Sequence, residues 1–461
     1  MPIDRRSFLR TTCTGLSGMT LLPFSSTSRT DRPNILFLLT DDQRWDSLGC
    51  MGNPIVQTPH IDHLAQQGTL FENNFTTTAI CCTSRATLFT GRYGSTMDLH
   101  RFDKALPEEA WQASYPMLLR QSGYRTGFVG KFGIGDPLPD KDFDYWDGFP
   151  GQGTFYEKEI FKGKHLTQAM TESACHFLEE CGKDQPFCLS VSYKAPHSNP
   201  EFAERIFPPD ERDRDLYKDV VFPPAKTGDE AHRQRLPEFI RESEGRIRRL
   251  GWYKDEQETT RDYFRLITGV DRSVGDILAT LQTKGLEDNT VIIFTGDNGY
   301  FLGEKGFEGK WFMYEESIRT PLLIRDPRLP AHLRNRREKR MTLNLDMAPT
   351  LLDLAGLPAP AAMKGRSLLP LVQGEQPAWR EEWYYEHLFP HPKIPRSEGV
   401  RTGKWKYIRY MDIEPVYEEL YNLESDPHEE HNLAGDPAFL SRLEELRTRC
   451  ARLKAEATGK G

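Results

Sequence analysis

Two adjacent cysteines, Cys81 and Cys82, stand just ahead of an arginine in the stretch CCTSRATLFTGRY at residues 81–93. The chain holds only eight cysteines in 461 residues, so a neighbouring pair needs a reason. The residues after the pair favour a helix, and the free backbone N–H groups of a helix N-terminus attract anions. The chemistry of this position therefore depends on the other groups that the fold brings to it.

Four side chains with hard oxygen atoms follow two apolar, strand-like runs, NILFLL and VIIF: Asp41, Asp42, Asp297 and Asn298. Such oxygens suit Ca²⁺ or Mg²⁺ better than zinc or copper. Each pair alone has an ordinary alternative, because Asp-Asp can cap a helix and Asp-Asn-Gly is a common tight turn. Their shared position at the ends of two buried strands favours a metal site.

Three basic side chains and one histidine are further candidates for chemistry: Arg85, Lys131, Lys310 and His197. A single lysine is usually a solvated surface charge. The Gly130-Lys131 pair also lacks the frame of a phosphate-binding loop. His197, in the segment KAPHSN, fits either a general acid or a buried, hydrogen-bonded ring. Spacing alone leaves both interpretations open.

The composition argues against a nucleic-acid partner. Lys and Arg number 60 against 68 Asp and Glu, which gives a formal net charge of −8. A surface of that balance does not attract polyanions as a whole. The hydrophobic fraction of 38% is enough to bury a large core, and the length favours more than one structural unit. Any anion must therefore be bound locally.

The first thirty residues resemble a twin-arginine export signal. Arg5-Arg6-Ser7-Phe8-Leu9-Arg10 precedes a weakly apolar stretch and then Ser/Thr-rich sequence. The alternative is a disordered basic tail. A signal at residues 1–30 predicts a periplasmic or extracellular protein that folds, and is modified, before export. No segment reaches the roughly 18 consecutive apolar residues of a membrane helix, so no membrane span is predicted.

Cysteine spacing provides neither a zinc CxxC pair nor a small disulfide framework. One bridge among Cys175, Cys181 and Cys188 remains open in an oxidising compartment. Removal of Cys13 with the signal leaves an odd number of cysteines, which favours a special role for one thiol.

Strand-like and helical runs alternate over most of the chain and predict an α/β fold with a large mixed, mostly parallel sheet flanked by helices. The remaining candidates are strands at 126–129 and 187–191 and helices at 61–68 and 270–281. Residues 198–260 form a charged, Pro-rich excursion that could shape a substrate cleft. The pattern changes near residue 370. We therefore predict a catalytic domain at 31–372 and a smaller C-terminal subdomain at 373–461, with an antiparallel sheet and a helix over 437–454.

Six motifs spread over the chain carry a family resemblance: PNILFLLTDDQ, CCTSRA with TGRY, GYRT, GK at 130–131, TGDNG and YEESIR. In this order, from about residue 32 to 435, the chain resembles the formylglycine-dependent sulfatases of the alkaline phosphatase superfamily. In that family the first cysteine of a Cys-x-Pro-Ser-Arg motif is oxidised by a maturation enzyme to formylglycine, and the hydrated aldehyde is the nucleophile. By position that cysteine is Cys81.

The resemblance also implies roles for the other candidates. Asp41, Asp42, Asp297 and Asn298 match the family's ligands to a metal, usually Ca²⁺, with residue 81 completing the shell. Arg85 would hold the nucleophile, Lys131 and Lys310 would stabilise the charge on sulfate, and His197 would protonate the leaving oxygen. One hydroxyl of the formylglycine diol attacks sulfur, and the other helps to expel sulfate as the aldehyde re-forms.

Three positions depart from the family pattern. Thr83 stands where the modification motif usually has proline, which implies a tolerant formylglycine-generating maturase. Gly133 stands where relatives often have a histidine that contacts the nucleophile, and Lys305 also replaces a frequent histidine.

The segments GFPGQG at 148–153 and KAPH at 194–197 look similar to bacterial N-acetylglucosamine-6-sulfatases. We therefore predict exo-acting removal of sulfate from a sulfated saccharide. The alternatives are a phosphonate monoester or phosphodiester hydrolase of the same superfamily, and an inactive sulfatase that only binds sulfated glycans. In a further alternative the acidic pairs are mere caps and the protein is a binding module without a metal.

Overall fold

The structure is a computed structural model, and it describes residues 32–156, 163–199 and 205–459. The proposed signal at residues 1–30 lies outside the described residues. The strands are β1 (Asn34–Thr40), β2 (Thr69–Phe75), β3 (Arg125–Lys131), β4 (Tyr145–Phe149), β5 (Phe187–Ser192), β6 (Thr290–Gly296), β7 (Phe301–Leu302), β8 (Glu308–Gly309), β9 (Arg319–Arg325), β10 (Arg336–Glu338), β11 (Thr342–Leu343), β12 (Glu382–His387), β13 (Ser397–Thr402), β14 (Trp405–Tyr410) and β15 (Tyr417–Asn422).

The α-helices are α1 (Pro59–Gln67), α2 (Cys81–Thr90), α3 (Glu108–Gln112), α4 (Tyr115–Gln121), α5 (Leu166–Glu179), α6 (Glu230–Arg235), α7 (Glu238–Arg241), α8 (Glu244–Trp252), α9 (Glu256–Thr283), α10 (Glu315–Ile318), α11 (Met347–Leu354), α12 (Leu369–Val372) and α13 (Leu440–Thr458). Helix α9 begins 14 residues before the predicted start at residue 270. Its first half was missed because charged groups such as Asp262 and Arg265 are buried there as an ion pair, which interrupts the apolar period.

The main sheet has nine strands in the order β10-β2-β9-β6-β1-β5-β3-β4, and β11 also pairs with β2. All pairs are parallel except those that β9 makes with β2 and β6. The central strands β1, β5 and β6 are buried along their whole length, because helices cover both faces. Two separate apolar clusters, one on each face, form the core. The predicted mixed, mostly parallel α/β sheet is confirmed.

A four-stranded antiparallel sheet, β12-β13-β14-β15, follows near the C-terminus, and α13 packs on it. The predicted antiparallel sheet and C-terminal helix are therefore confirmed. A third apolar cluster joins this sheet to the main one, for example through a tilted contact between Phe75 and Trp383 with ring centroids 5.4 Å apart. The boundary at residues 372/373 stays a prediction.

All seven cysteines of the described residues are free, so the bridge left open among Cys175, Cys181 and Cys188 is not formed. Among the helices of the described ranges, none combines the length and apolar character needed to cross a membrane.

Candidate active site

The candidate residues meet because of sheet topology. Strands β1 and β6 are parallel neighbours whose register pairs Thr40 with Gly296, so the residues that follow each strand emerge side by side. Strand β5 lies on the other side of β1 and leads to His197, and β3 beyond it ends at Lys131. Cys81 is the first residue of α2.

The oxygen-bearing side chains form one buried cluster. The Oδ1 atom of Asp297 accepts a hydrogen bond of 3.1 Å from the backbone N–H of Asp42. The Nδ2 atom of Asn298 donates to Asp42 Oδ1 over 2.6 Å. Potential ligand atoms of four residues all lie within 4.8 Å of one another: Asp41, Asp42, Cys81 and His197.

This cluster fits a hard cation. The four side chains are all at most 2% exposed: Asp41, Asp42, Asp297 and Asn298. Three carboxylates in one buried site need strong positive charge nearby. The Oδ1 atom of Asn298 is buried and has no hydrogen-bond partner within the described residues, whereas buried carbonyl oxygens normally have one. An oxygen-rich, anionic donor set with a free amide oxygen matches the ligands that Ca²⁺ and Mg²⁺ take.

The backbone at Asp42 is in the left-handed region, with φ of 60°. A non-glycine residue there is strained and needs support from its surroundings. Tyr263, on α9, provides it: its hydroxyl donates to the Asp42 carbonyl over 2.8 Å and accepts from the Arg44 backbone N–H over 3.0 Å.

Tyr263→Phe should therefore lower the free energy of unfolding by about 1–3 kcal/mol, because it leaves a partly buried N–H and a buried carbonyl without their partner. Urea unfolding of both proteins measures the difference. Tyr145→Phe is the matched control, since the Tyr145 hydroxyl bonds Ser173 in a partly exposed position. Equal, small changes in the two variants would show that Tyr263 does not support the turn.

Three cations surround the carboxylates. Arg85 donates from Nε to Asp297 Oδ2 over 2.9 Å and lies 3.2 Å from Asp41. The Nζ atom of Lys131 donates to Asp41. The Nζ atom of Lys310 donates to Asp42 and lies 3.0 Å from the Cys81 sulfur. All three are at most 5% exposed, so their charges act with little screening.

The buried charges shift the protonation of the carboxyl groups. Burial and then the negative charge of Asp41 raise the pKa of Asp297 to about 7. Burial would also raise the pKa of Asp41, but Lys131 and the other cations hold it well below its usual value.

Burial, followed by the charge of Asp41, raises the pKa of the Cys81 thiol well above its usual range. A raised pKa disfavours the thiolate, which is the nucleophilic form of an unmodified cysteine.

The ring of His197 is fixed by its Nδ1 atom, which lies 2.6 Å from the Ser198 carbonyl. A carbonyl only accepts, so Nδ1 carries the proton and Nε2 faces Asp42 Oδ2 at 3.5 Å. Burial and then the nearby lysines hold the pKa of His197 well below 6.5, against the opposing charge of Asp41.

The three departures from the family pattern have distinct environments. The hydroxyl of Thr83, in the first turn of α2, donates to the Leu99 carbonyl over 3.0 Å. Gly133 has φ of 73°, and a Cβ there would lie 2.6 Å from Arg85 Cδ, so a larger side chain would be strained and would have to displace Arg85. Lys305 faces away from the cluster, because its Nζ donates to the His428 and Glu429 carbonyls.

Several contacts of the cluster were not predicted from the sequence. Gln152 accepts a hydrogen bond from Lys131, Ser192 contacts Arg85, and Tyr263 donates to the Asp42 carbonyl. Lys194 also lies near the cluster, and burial and then the charge of Lys131 lower its pKa to about 7. Gln152 and Lys194 lie inside the GFPGQG and KAPH segments, so the family resemblance was a signal for these two only.

Comparisons with known proteins show the family to which the chain belongs. A sulfatase family model matches residues 33–357, and a model of the C-terminal region of N-sulphoglucosamine sulphohydrolase matches residues 303–456. The chain belongs to the sulfatase family. It is 32% identical over 487 aligned residues to an N-acetylglucosamine-6-O-sulfatase of Bacteroides thetaiotaomicron, an alignment that covers 90% of this chain and 85% of that protein. This sulfatase is therefore a sulfuric ester hydrolase.

Solved structures agree with that assignment. A structure with D-glucosamine-2-N,6-O-disulfate bound as substrate has a TM-score of 0.78 and 27% identity, covering 93% of this sulfatase and 99% of that chain. A phosphonate monoester hydrolase of Agrobacterium radiobacter has a TM-score of 0.74 at 24% identity, covering 92% and 96%. The second match shows the shared alkaline phosphatase-like fold alone.

Proposed function

We propose that this sulfatase removes sulfate from a saccharide and that Cys81, once oxidised to formylglycine, is its nucleophile. The observation that carries the proposal is the position of Cys81: first residue of α2, with its sulfur 3.3 Å from Asp41 Oδ1 and 3.0 Å from Lys310 Nζ. The saccharide is supported by the relative that acts on N-acetylglucosamine-6-O-sulfate and by the structural neighbour with a disulfated glucosamine.

A divalent cation, Ca²⁺ or Mg²⁺, would be held by Asp41, Asp42, Asp297 and Asn298 together with residue 81. When bound, such an ion makes a coordinated hydroxyl more acidic and neutralises charge on sulfate. Two observations support this assignment: the oxygen donors, and the Asn298 amide oxygen, which has no partner in the described part of the chain.

The chain's own residues bind and orient the ester. The free N–H groups of the first turn of α2 face the anion. Lys131 and Lys310 stabilise negative charge as it moves toward the leaving oxygen. Arg85 holds Asp41 and Asp297 in place through the ion pairs described above.

His197 is the proposed proton donor to the leaving oxygen. Its Nε2 atom is unprotonated in the free enzyme, and the negative charge of a bound sulfate ester would favour protonation there. His197→Ala should lower kcat on a sulfated sugar by about 10²–10⁴-fold, because a sugar alkoxide is too basic to leave without a proton. Turnover of a nitrophenyl sulfate should fall far less, since that leaving group needs no proton. Steady-state rates on both substrates measure the split, and equal losses would reassign His197 to binding.

Maturation and export complete the proposal. Residues 1–30 would direct the folded protein through twin-arginine export to the periplasm or the outside of the cell. A formylglycine-generating enzyme that accepts Thr83 in place of proline would act first, in the cytoplasm. Replacement of Arg5-Arg6 by Lys-Lys should retain the protein in the cytoplasm, as cell fractionation would show.

The function is tested with a panel of glucosamine and N-acetylglucosamine sulfates, a nitrophenyl sulfate and a matched phosphonate monoester, with released anions measured by ion chromatography. We expect kcat/KM to be highest on a sulfated sugar. Cys81→Ala protein prepared in parallel controls for contaminating enzymes. Turnover of the phosphonate ester above that of every sulfate would instead favour the phosphonate hydrolase, and turnover of aryl sulfate alone would exclude the saccharide.

A further inference from the structure

The side of the site next to Lys131 lacks the histidine that relatives often place there. A side chain at Gly133 would have to displace Arg85, because its Cβ would lie 2.6 Å from Arg85 Cδ.

Gln152 is a direct neighbour of Lys131. Its Oε1 atom accepts a hydrogen bond of 2.6 Å from Lys131 Nζ, which also donates to Asp41. An ammonium group only donates, so the oxygen of the amide must face Lys131 and the Nε2 group must face away. This Nε2 group makes no hydrogen bond to any part of the chain that the structure describes, and Gln152 is only half-buried.

The chain holds Gln152 at this position through local structure. Strand β4 pairs in parallel with β3 so that Phe149 lies opposite Lys131, and Gln152 follows three residues later. The flanking Gly151 and Gly153 have φ of 62° and 64°, a region that glycine enters without strain. A Cβ at Gly153 would lie 2.4 Å from the Phe149 ring, so the loop folds tightly back over the strand end.

We propose that Gln152 is a substrate-binding residue whose Nε2 group donates a hydrogen bond to an oxygen of the sulfate ester. The proposal rests on the function proposed above and deepens it. Gln152 lies beside Lys131, which binds the sulfate in the proposed function. A neutral donor there binds the anion without adding charge to a site that already holds three cations. By accepting from Lys131, Gln152 also orients the ammonium group toward the same oxygen atoms.

Gln152→Glu separates these two tasks, because a carboxylate keeps the acceptor for Lys131 but loses the donor and places negative charge beside the sulfate. We expect kcat/KM on the sulfated sugar to fall by at least about 100-fold, and Gln152→Ala to lose about tenfold. Gln185→Glu is the matched control, since Gln185 is exposed and its amide donates to the Gly123 carbonyl, outside the site. It should leave kcat/KM unchanged.

Binding of inorganic sulfate provides a readout that does not depend on turnover. The rise in melting temperature with sulfate concentration gives a dissociation constant for each metal-loaded protein. We expect Gln152→Glu to weaken sulfate binding by at least about tenfold, with Gln152→Ala as the second variant if the Glu protein melts early. If the wild-type protein hydrolysed none of the esters, the proposed function would be refuted. The dissociation constants for sulfate would still test the role of Gln152 in that case. Sulfate affinities within twofold of wild type in both variants would overturn the inference.

Discussion

Cys81→Ala should lose at least about 10⁴-fold of sulfate-ester turnover, whereas Cys82→Ala should keep most of it. Loss of a covalent nucleophile costs on this scale or more. The two neighbours have similar burial but different surroundings. Cys81 contacts Asp41 and Lys310. Cys82 packs in an apolar cluster with Ile80, Trp311 and Ile394.

The comparison is sharp because each variant controls for the other. Both remove one buried sulfur from the first turn of α2, so general effects on folding should be similar, and the melting temperatures of the two proteins check this. Initial rates on a sulfated sugar and on a nitrophenyl sulfate give the activity. Equal losses in the two variants, or a larger loss at Cys82, would contradict the assignment of Cys81 as nucleophile.

Asp297→Asn should abolish most of the stabilisation by Ca²⁺ and lower turnover by at least about 10³-fold. Asparagine keeps the shape and can still accept the Asp42 N–H, but it removes one of three negative charges and the partner of Arg85 Nε. Hard cations depend on charged oxygen ligands for affinity. The rise in melting temperature on titration with Ca²⁺ gives the affinity without any assay of activity.

The same variant should respond differently in EDTA. Burial and then the charge of Asp41 raise the pKa of Asp297 to about 7. Between about pH 4 and pH 7 the folded protein therefore keeps a proton on Asp297 that the unfolded chain has already released. Ionisation of Asp297 therefore costs stability increasingly as pH rises from about 4 through 7. The melting temperature of Asp297→Asn minus that of wild type should therefore be higher at pH 8 than at pH 5. Asp184→Asn, at an exposed position, is the control for the general effect of removing a carboxylate. In the Ca²⁺ titration, a rise in melting temperature for Asp297→Asn equal to that of wild type would refute the metal assignment.

The parts of the fold that sequence predicted are those with an unbroken apolar period. Strands β1 and β6 are continuous apolar runs. Because ligands bind at the carboxyl ends of such strands, the sequence predicted that Asp41 and Asp297 lie in one site. Strand β2 was missed because Glu72 and Asn73 interrupt its apolar pattern. The antiparallel insertion of β9 was also missed, because strand order depends on long-range pairing that local sequence does not encode.

The same limit explains what was missed in the site. Tyr263 supports Asp42 across 221 positions of sequence and Ser192 contacts Arg85 across 107, so no spacing connects them. The family motifs identified the charged groups but not their relation to each other. The space at Gly133 is closed by Arg85, a residue 48 positions earlier, and this contact is visible only in three dimensions.

The mass of the tryptic peptide from Trp45 to Arg85 tests the central claim most directly. This peptide contains three cysteines, Cys50, Cys81 and Cys82, and should be taken from active protein made in its own host and alkylated after denaturation. We expect two alkylated cysteines and an aldehyde in place of the thiol at residue 81, which a hydrazide reagent would label. Three alkylated cysteines in a preparation that hydrolyses sulfate esters would contradict the formylglycine nucleophile.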